Sequence, residues 1–157
     1  MSAQIGRSSQ FGQSSQIGQI SRIPYVDYLV LGPEPHLVAH ECAECGARYF
    51  DRRNACASCG GTEFAPADLP TTGEVTSFTI VTAAAPGIPV PYAAAVVDCG
   101  GTKVAGNIIG TEPDPGHIRL GMRVALSTYV AGTDGKGVDA VNFGFAPLED
   151  GASEGRN

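Results

Sequence analysis

The chain has no tryptophan, only two lysines and no long apolar run. Proteins that bind DNA or RNA concentrate lysine and arginine on the binding face, where they displace counterions from phosphate. Here ten basic residues stand against sixteen acidic ones, and residues 67–157 hold five basic and ten acidic side chains. We therefore expect no nucleic-acid partner. No apolar stretch approaches the roughly 18 residues that cross a bilayer, so we expect no membrane partner either.

The chain also lacks the basic-then-apolar start of a secretory signal peptide, which predicts a cytoplasmic protein. Clustered CxxC pairs without an export signal are typical of metal ligands in a reducing compartment. With 157 residues, the chain has room for one ordinary domain, or for a small metal module and a small barrel.

Four cysteines form two CxxC pairs, and a glycine follows each pair directly. They are Cys42, Cys45, Cys56 and Cys59. Two residues between thiolates let one tight turn aim both sulfurs at the same point, and the glycine lets backbone amides point back at sulfur. Two such turns complete a tetrahedral four-thiolate cage, which predicts a closed, structural zinc site. Redox-active CxxC disulfides and a rubredoxin-like iron site remain open as alternatives.

The first 22 residues are interpreted as a flexible tail. Residues 4–21 contain three copies of a Gln/Ser/Gly-rich unit that has too few apolar residues to bury a core. The alternative is that its apolar residues anchor the segment along a partner protein. These residues are Ile5, Phe11, Ile17 and Ile20. Residues 148–157 are interpreted as a second flexible tail.

Residues 23–41 are interpreted as an N-terminal arm. Its apolar stretch at 23–31 ends at a Gly-Pro-Glu-Pro sequence, which forbids a regular helix through that point. We predict one short helix or an extended arm, followed by a strand from His36 into the first cysteine pair.

The ribbon is assigned to residues 42–66, with a hairpin return at 47–53 and a last strand at 62–64. His40 lies two residues before the first cysteine and is a candidate replacement ligand. Because four cysteines already complete the coordination sphere, we do not assign it to the metal.

Residues 67–147 have the composition of a β-barrel, so the chain is predicted to be mainly β. Five segments of strand length are rich in Val, Ile, Thr and aromatic residues, with Gly, Pro and Asp between them. The segments are 74–82, 92–99, 102–109, 122–131 and 138–146. The long interruption between the third and fourth segments predicts a five-stranded OB-fold. A generic small β-barrel or sandwich is the alternative.

Further motifs follow the cysteine pairs in a fixed order. Phe50 and Arg53 precede the third cysteine, Thr72-Gly73 opens the first barrel strand, Pro91-Tyr92 opens the second, and residues 143–147 close the barrel. Over about residues 24–147 the chain resembles a family of acyl-CoA-associated proteins, the domain of unknown function 35 class. In that family a rubredoxin-like zinc ribbon precedes an OB-fold. The family commonly has two prolines between the phenylalanine and the arginine, and this chain has neither.

The resemblance implies an accessory subunit in a hetero-oligomer with a thiolase-superfamily protein. Family members help to complete the channel that receives an acyl-CoA at the shared interface. The partner carries the catalytic residues for carbon–carbon bond cleavage or formation, or for acyl transfer. The resemblance therefore implies that this chain is not catalytic alone.

The sequence itself offers no assembled catalytic set. Cys99 lies outside the CxxC pairs, at a predicted strand end before a Gly-Gly turn, and no histidine is nearby to activate it. We interpret Cys99 as a small apolar filler.

Two features are candidates for binding CoA or a partner. Arg52 and Arg53 present guanidinium groups that suit phosphate, although a solvated pair bridged to nearby carboxylates is the alternative. The apolar loop at 83–91, stiffened by three prolines, suits a protein partner or an acyl-chain channel wall. The candidate residues at this loop are Ile88, Val90 and Tyr92.

Two other functions share the same architecture. A nucleic-acid-binding zinc-ribbon/OB module conflicts with the acidic charge, because base-stacking platforms sit beside a basic groove. A rubredoxin-like electron carrier leaves the large barrel unexplained, and iron in the cage would favour it.

Overall fold

The computed structural model describes residues 21–148, and they form ten β-strands and no helix. The strands are β1 (Arg22–Pro24), β2 (Leu29–Val30), β3 (His36–Cys42), β4 (Arg48–Tyr49), β5 (Phe64–Asp68), β6 (Thr72–Val81), β7 (Tyr92–Cys99), β8 (Thr102–Ile108), β9 (Arg123–Thr133) and β10 (Asp139–Pro147). This part of the chain has no helix long and apolar enough to cross a membrane. Apart from residues 21, 22 and 148, the two predicted tails lie outside the described residues.

Strands β6 to β10 close into a five-stranded barrel. Strands β6, β7 and β8 pair antiparallel in sequence order, and β9 pairs with both β6 and β10. A parallel contact between Phe145 and Ile108 joins β10 to β8 and completes the circle. This is the predicted OB-fold arrangement, and every predicted barrel segment agrees with its strand to within about two residues at each end.

The barrel interior is filled by alternating side chains. Every second residue of β7 points inward and is buried, as strand geometry requires. These residues are Ala93, Ala95, Val97 and Cys99. Where β10 meets β8, the Phe145 ring lies over Gly106, and an added Cβ there would come within 2.9 Å of the ring. A small residue on β8 thus makes room for an aromatic ring from the neighbouring strand.

Strand β3 organises the ribbon by pairing with β2, β4 and β5. Its buried Leu37 and Ala39 belong to the same hydrophobic cluster as Leu29, Leu69 and the barrel interior. The Leu69 N–H donates to the Leu37 carbonyl at 2.9 Å, at the junction of ribbon and barrel. The ribbon and the barrel therefore share one hydrophobic core.

The arm is extended, so the predicted short helix is wrong for the described residues. Strand β1 runs parallel to β10, and the Tyr25 N–H donates to the Val141 carbonyl at 2.7 Å. Pro24 has no N–H for a helical hydrogen bond, and the apolar stretch is too short to form a stable helix alone. Backbone groups of the arm form hydrogen bonds with β10 instead, which agrees with the predicted alternative of an extended arm.

Candidate metal centre and neighbouring surfaces

The four cysteine sulfurs converge on one point between the two CxxC turns. All four Sγ atoms lie within 4.8 Å of one another, and the pairs Cys42–Cys59 and Cys45–Cys56 are separated by 3.6 and 3.5 Å. A tetrahedral zinc ion with Zn–S bonds of about 2.3 Å requires sulfur separations of about 3.8 Å. The donor set therefore fits one tetrahedral metal ion, and each short pair joins a sulfur from each turn.

A glycine shapes each CxxC turn. The Gly46 N–H donates to the Cys42 carbonyl at 2.9 Å, and the Gly60 N–H donates to the Cys56 carbonyl at 2.8 Å. Both glycines have left-handed backbones, with φ of 76° and 80°. A side chain at either position would strain this conformation, which explains why each CxxC pair runs into glycine.

The sulfurs differ in their hydrogen bonds. The Tyr49 hydroxyl lies 3.3 Å from Cys56 Sγ and, with backbone N–H groups such as that of Ser58, lowers the pKa of Cys56 to about 6. At Cys59 the Gly61 N–H acts to lower the pKa, but the neighbouring sulfurs and burial raise it to about 12. A metal ion displaces the remaining thiol protons, so metal binding must weaken as the pH falls.

The two candidate arginines have different surroundings. The Arg53 guanidinium lies 4.5 Å above the Tyr49 ring, and its Nε is 3.6 Å from Asp51 Oδ1. Within residues 21–148, Arg52 has no ion-pair partner, and it lines two adjacent hollows of about 710 and 250 Å³. Arg52 is therefore the better placed of the two for an incoming anion.

The larger hollow is a groove between the arm and the ribbon. Its wall combines the rings of Tyr28 and Phe50 with the charged groups of Asp27, Asp51 and Arg52. A groove of this volume is of the size that takes a cofactor-like ligand, since such sites span roughly 300–1,000 Å³. Its aromatic wall suits a ring or an alkyl chain, and its arginine suits phosphate.

The proline-stiffened loop between β6 and β7 presents apolar side chains outward. Ile88 and Val90 are 50% and 41% exposed, whereas Tyr92 is half-buried and pairs with Val81 in the sheet. Two of the three candidate residues at this loop are thus available to a partner surface, and the third supports the loop's base.

Sequence profiles of two domains match consecutive parts of the chain. The rubredoxin-like zinc ribbon domain of ChsH2 matches residues 31–65, and the C-terminal OB-fold domain of ChsH2 matches residues 67–128. Together they span more than half of the chain, in the order that the structure shows. The chain belongs to the domain of unknown function 35 family. The family predicted from the motifs, the domain of unknown function 35 class, is confirmed.

Solved structures extend this comparison. A chain of the "Ltp2-ChsH2(DUF35) aldolase" is 27% identical, with a TM-score of 0.58, and the match covers 71% of this chain and 84% of that one. A protein of unknown function from the DUF35 family of Sulfolobus solfataricus is 14% identical, with a TM-score of 0.43 over 68% of this chain and 75% of that one. No curated protein sequence matches significantly.

The fifth cysteine of the chain is a core residue. Cys99 is 1% exposed at the end of β7, and burial, assisted by the Asp98 charge, raises the pKa of its thiol to about 11. A thiol with this pKa is almost fully protonated at neutral pH and is a poor nucleophile. Its position agrees with the interpretation of Cys99 as an apolar filler.

The sequence did not single out Tyr28 or Tyr49 as site residues. Tyr28 lines the groove, and Tyr49 contacts the cysteine cage. His40, which was considered as a ligand, lies opposite Tyr49 in the β3–β4 pairing and lines the groove instead. No periodicity marks these residues. Closeness to the first cysteine pair could have drawn attention to His40 and Tyr49, but not to Tyr28.

Proposed function

We propose that this chain is the zinc-binding accessory subunit of a thiolase-like complex that processes an acyl-CoA. Its likeness to a chain of an aldolase complex, over 71% of this chain, carries the proposal. In this scheme the partner carries the catalytic residues for carbon–carbon bond cleavage or formation, or for acyl transfer. The two clustered CxxC pairs are typical of metal ligands in a reducing compartment, which suits the cytoplasm.

Zinc in the cage has a structural role. Four thiolates complete its tetrahedral sphere, so no position remains open for water or substrate. When bound, the ion joins the two CxxC turns and so fixes the ribbon beside the arm. The ribbon residues that line the groove, Phe50 and Arg52, depend on this support.

The groove between the arm and the ribbon is the candidate for CoA at the shared interface. In this proposal Arg52, which lines the groove, binds a phosphate of CoA, because its guanidinium presents several donors in one plane. The rings of Tyr28 and Phe50 offer apolar contact to an adenine or to the pantetheine arm.

The loop between β6 and β7 is the candidate for protein contact. Its exposed Ile88 and Val90 are apolar, and its prolines limit the entropy lost when a partner orders it. A hetero-oligomer in which the partner covers this loop removes the exposed apolar surface from water.

Co-expression with each thiolase-superfamily protein of the host, followed by affinity purification, tests the proposal. We expect one such protein to co-purify in fixed stoichiometry, and acyl-CoA turnover to require both proteins. Recovery of nucleic acid instead would support the zinc-ribbon/OB module, and an iron-coloured protein with redox enzymes would support the electron carrier. Either result would overturn the accessory role.

A further inference from the structure

Tyr49 lies against the cysteine cage without being a ligand. Its hydroxyl oxygen is 3.3 Å from Cys56 Sγ. The ring is held on two sides: the Arg53 guanidinium carbon lies 4.5 Å from its centroid, and the Phe64 ring meets it at 6.3 Å and 75°. The hydroxyl therefore has a fixed position beside one sulfur.

The direction of this hydrogen bond follows from the chemistry of a loaded cage. A thiolate bound to metal has no proton to give, so the phenol must donate and the sulfur of Cys56 must accept. Cys56 also accepts from the Ser58 N–H at 3.4 Å. Two donors thus converge on a single ligand sulfur.

On the opposite side of the cage, a negatively charged side chain lies near the sulfur of Cys59. Cys59 accepts from the Gly61 N–H at 3.4 Å, but a carboxylate oxygen of Glu44 lies 4.0 Å from its sulfur. Four thiolates and a divalent ion carry a net charge of about −2, so donors and cations nearby stabilise the loaded state and carboxylates oppose it. Tyr49 supplies a hydrogen-bond donor and Arg53 supplies a positive charge, and both stabilise the loaded state.

We propose that Tyr49 is a positioning residue of the metal centre, whose hydroxyl donates to the Cys56 thiolate and so strengthens metal binding, and that Arg53 holds the ring in place. Hydrogen bonds from residues outside the ligand set orient the ligands and tune the metal. This role of Tyr49 requires a bound metal but no partner protein. It can therefore be tested independently of the proposed accessory function.

Metal binding by the full chain with Tyr49→Phe tests this role, because phenylalanine keeps both ring contacts and removes only the hydroxyl. Competition with a chromophoric chelator should show that the zinc affinity falls by about tenfold or more. A loss of this size is typical when a residue that hydrogen-bonds to a metal ligand is replaced. With cobalt in the cage, the sulfur-to-cobalt absorption should shift to longer wavelength, because a thiolate that loses a donor gives up its electrons more readily. Tyr25→Phe is the matched control, since Tyr25 is 62% exposed on the arm.

Arg53→Ala provides a second variant that leaves the hydroxyl intact. We expect a smaller loss of zinc affinity than with Tyr49→Phe, because the Phe64 contact still holds the ring. A Tyr49→Phe protein with the zinc affinity and cobalt spectrum of the Tyr25→Phe control would overturn the role of Tyr49. An Arg53→Ala protein indistinguishable from the parent would overturn the part assigned to Arg53.

Discussion

The ring of Tyr28 lies edge-on to the ring of Phe50, with centroids 4.6 Å apart and planes at 73°. On its other side Tyr28 meets Phe143 of the barrel at 5.9 Å and 76°. One side chain of the arm therefore joins the ribbon to the barrel, and the same ring lines the groove. The shape of the groove depends on this aromatic contact.

Replacing Tyr28 with alanine should loosen the ribbon from the barrel. Aromatic pairs contribute about 0.5–1.5 kcal/mol each beyond their buried area, so the loss of two pairs should lower the free energy of unfolding by about 1–3 kcal/mol. Urea unfolding of the metal-loaded proteins measures this. Tyr25→Ala is the control, because Tyr25 is mostly exposed. Equal losses in the two variants would contradict a bridging role.

Loss of one cage cysteine should abolish metal binding, whereas loss of the fifth should not. Cys56→Ser should leave less than one metal ion per chain after dialysis, expose the ribbon to protease and prevent assembly with a partner. Cys99→Ala removes a thiol that lies in the barrel core, so its metal content should equal that of the parent. Elemental analysis measures both variants. Full metal content in Cys56→Ser would show that the cage is not the metal site.

The carboxylate of Asp98, near the end of β7, has an effect on stability that depends on pH. The Lys103 ammonium at 2.6 Å and the Gly101 N–H at 2.6 Å hold the pKa of Asp98 below its usual value. A carboxylate with a lowered pKa in the folded state adds stability above its unfolded pKa of about 3.9. That stability is lost as the pH falls through the folded value.

Asp98→Asn should therefore destabilise the protein near neutral pH and have no effect in strong acid. Because the pair is partly exposed, we expect a decrease of up to about 1 kcal/mol in the free energy of unfolding at about pH 7. Urea midpoints across pH, with chelator present throughout, measure the difference from the parent. Glu112→Gln is the control for removing a negative charge from a loop. A difference that persisted below about pH 2 would rule out the carboxylate as its source.

The barrel and the cage were predictable because their signals are local. Each barrel strand is a segment rich in Val, Ile, Thr and aromatic residues that is bounded by turn formers, so its limits can be located from composition. The CxxC spacing fixes the geometry of each turn before any tertiary contact forms. Five strands with one long interruption then favour the pairing order of an OB-fold over a generic barrel or sandwich.

The arm and the groove could not be predicted because they depend on contacts between distant segments. Whether residues 23–31 form a helix or extend is decided by backbone pairing with β10, more than one hundred residues later. The contacts of Tyr28 and Tyr49 likewise require a partner from another element. Arg52 and Arg53 are neighbours in sequence, and only the structure shows that Arg53 is engaged with Tyr49 and Asp51.

Arg52→Ala should weaken use of an acyl-CoA by the assembled complex without weakening the fold. A charge-assisted hydrogen bond to phosphate contributes about 1.5 kcal/mol or more, so KM should rise by about tenfold while kcat changes little. Arg53→Ala should give a smaller rise, because Arg53 is already engaged. Lys136→Ala, on the β9–β10 turn, is the charge-matched control. If Arg52→Ala and Lys136→Ala gave the same KM, the groove would not be the phosphate site.

Ile88→Asp should prevent assembly with the partner, because a carboxylate placed in an apolar interface loses its hydration without gaining a partner charge. The Ile88 side chain is half exposed, so the isolated chain should unfold at nearly the same urea concentration as the parent. Size-exclusion chromatography of the co-expressed proteins measures assembly.

Leu120→Asp is the matched control for this experiment. Leu120 is 63% exposed at the opposite end of β6, where the adjacent Gly121 N–H donates to the Val75 carbonyl. Leu120→Asp makes the same change of size and charge as Ile88→Asp, and we expect it to leave the complex intact. A complex that tolerated Ile88→Asp, or that was lost equally in both variants, would remove the β6–β7 loop as the specific contact. Loss with Ile88→Asp alone would place the partner at this end of the barrel.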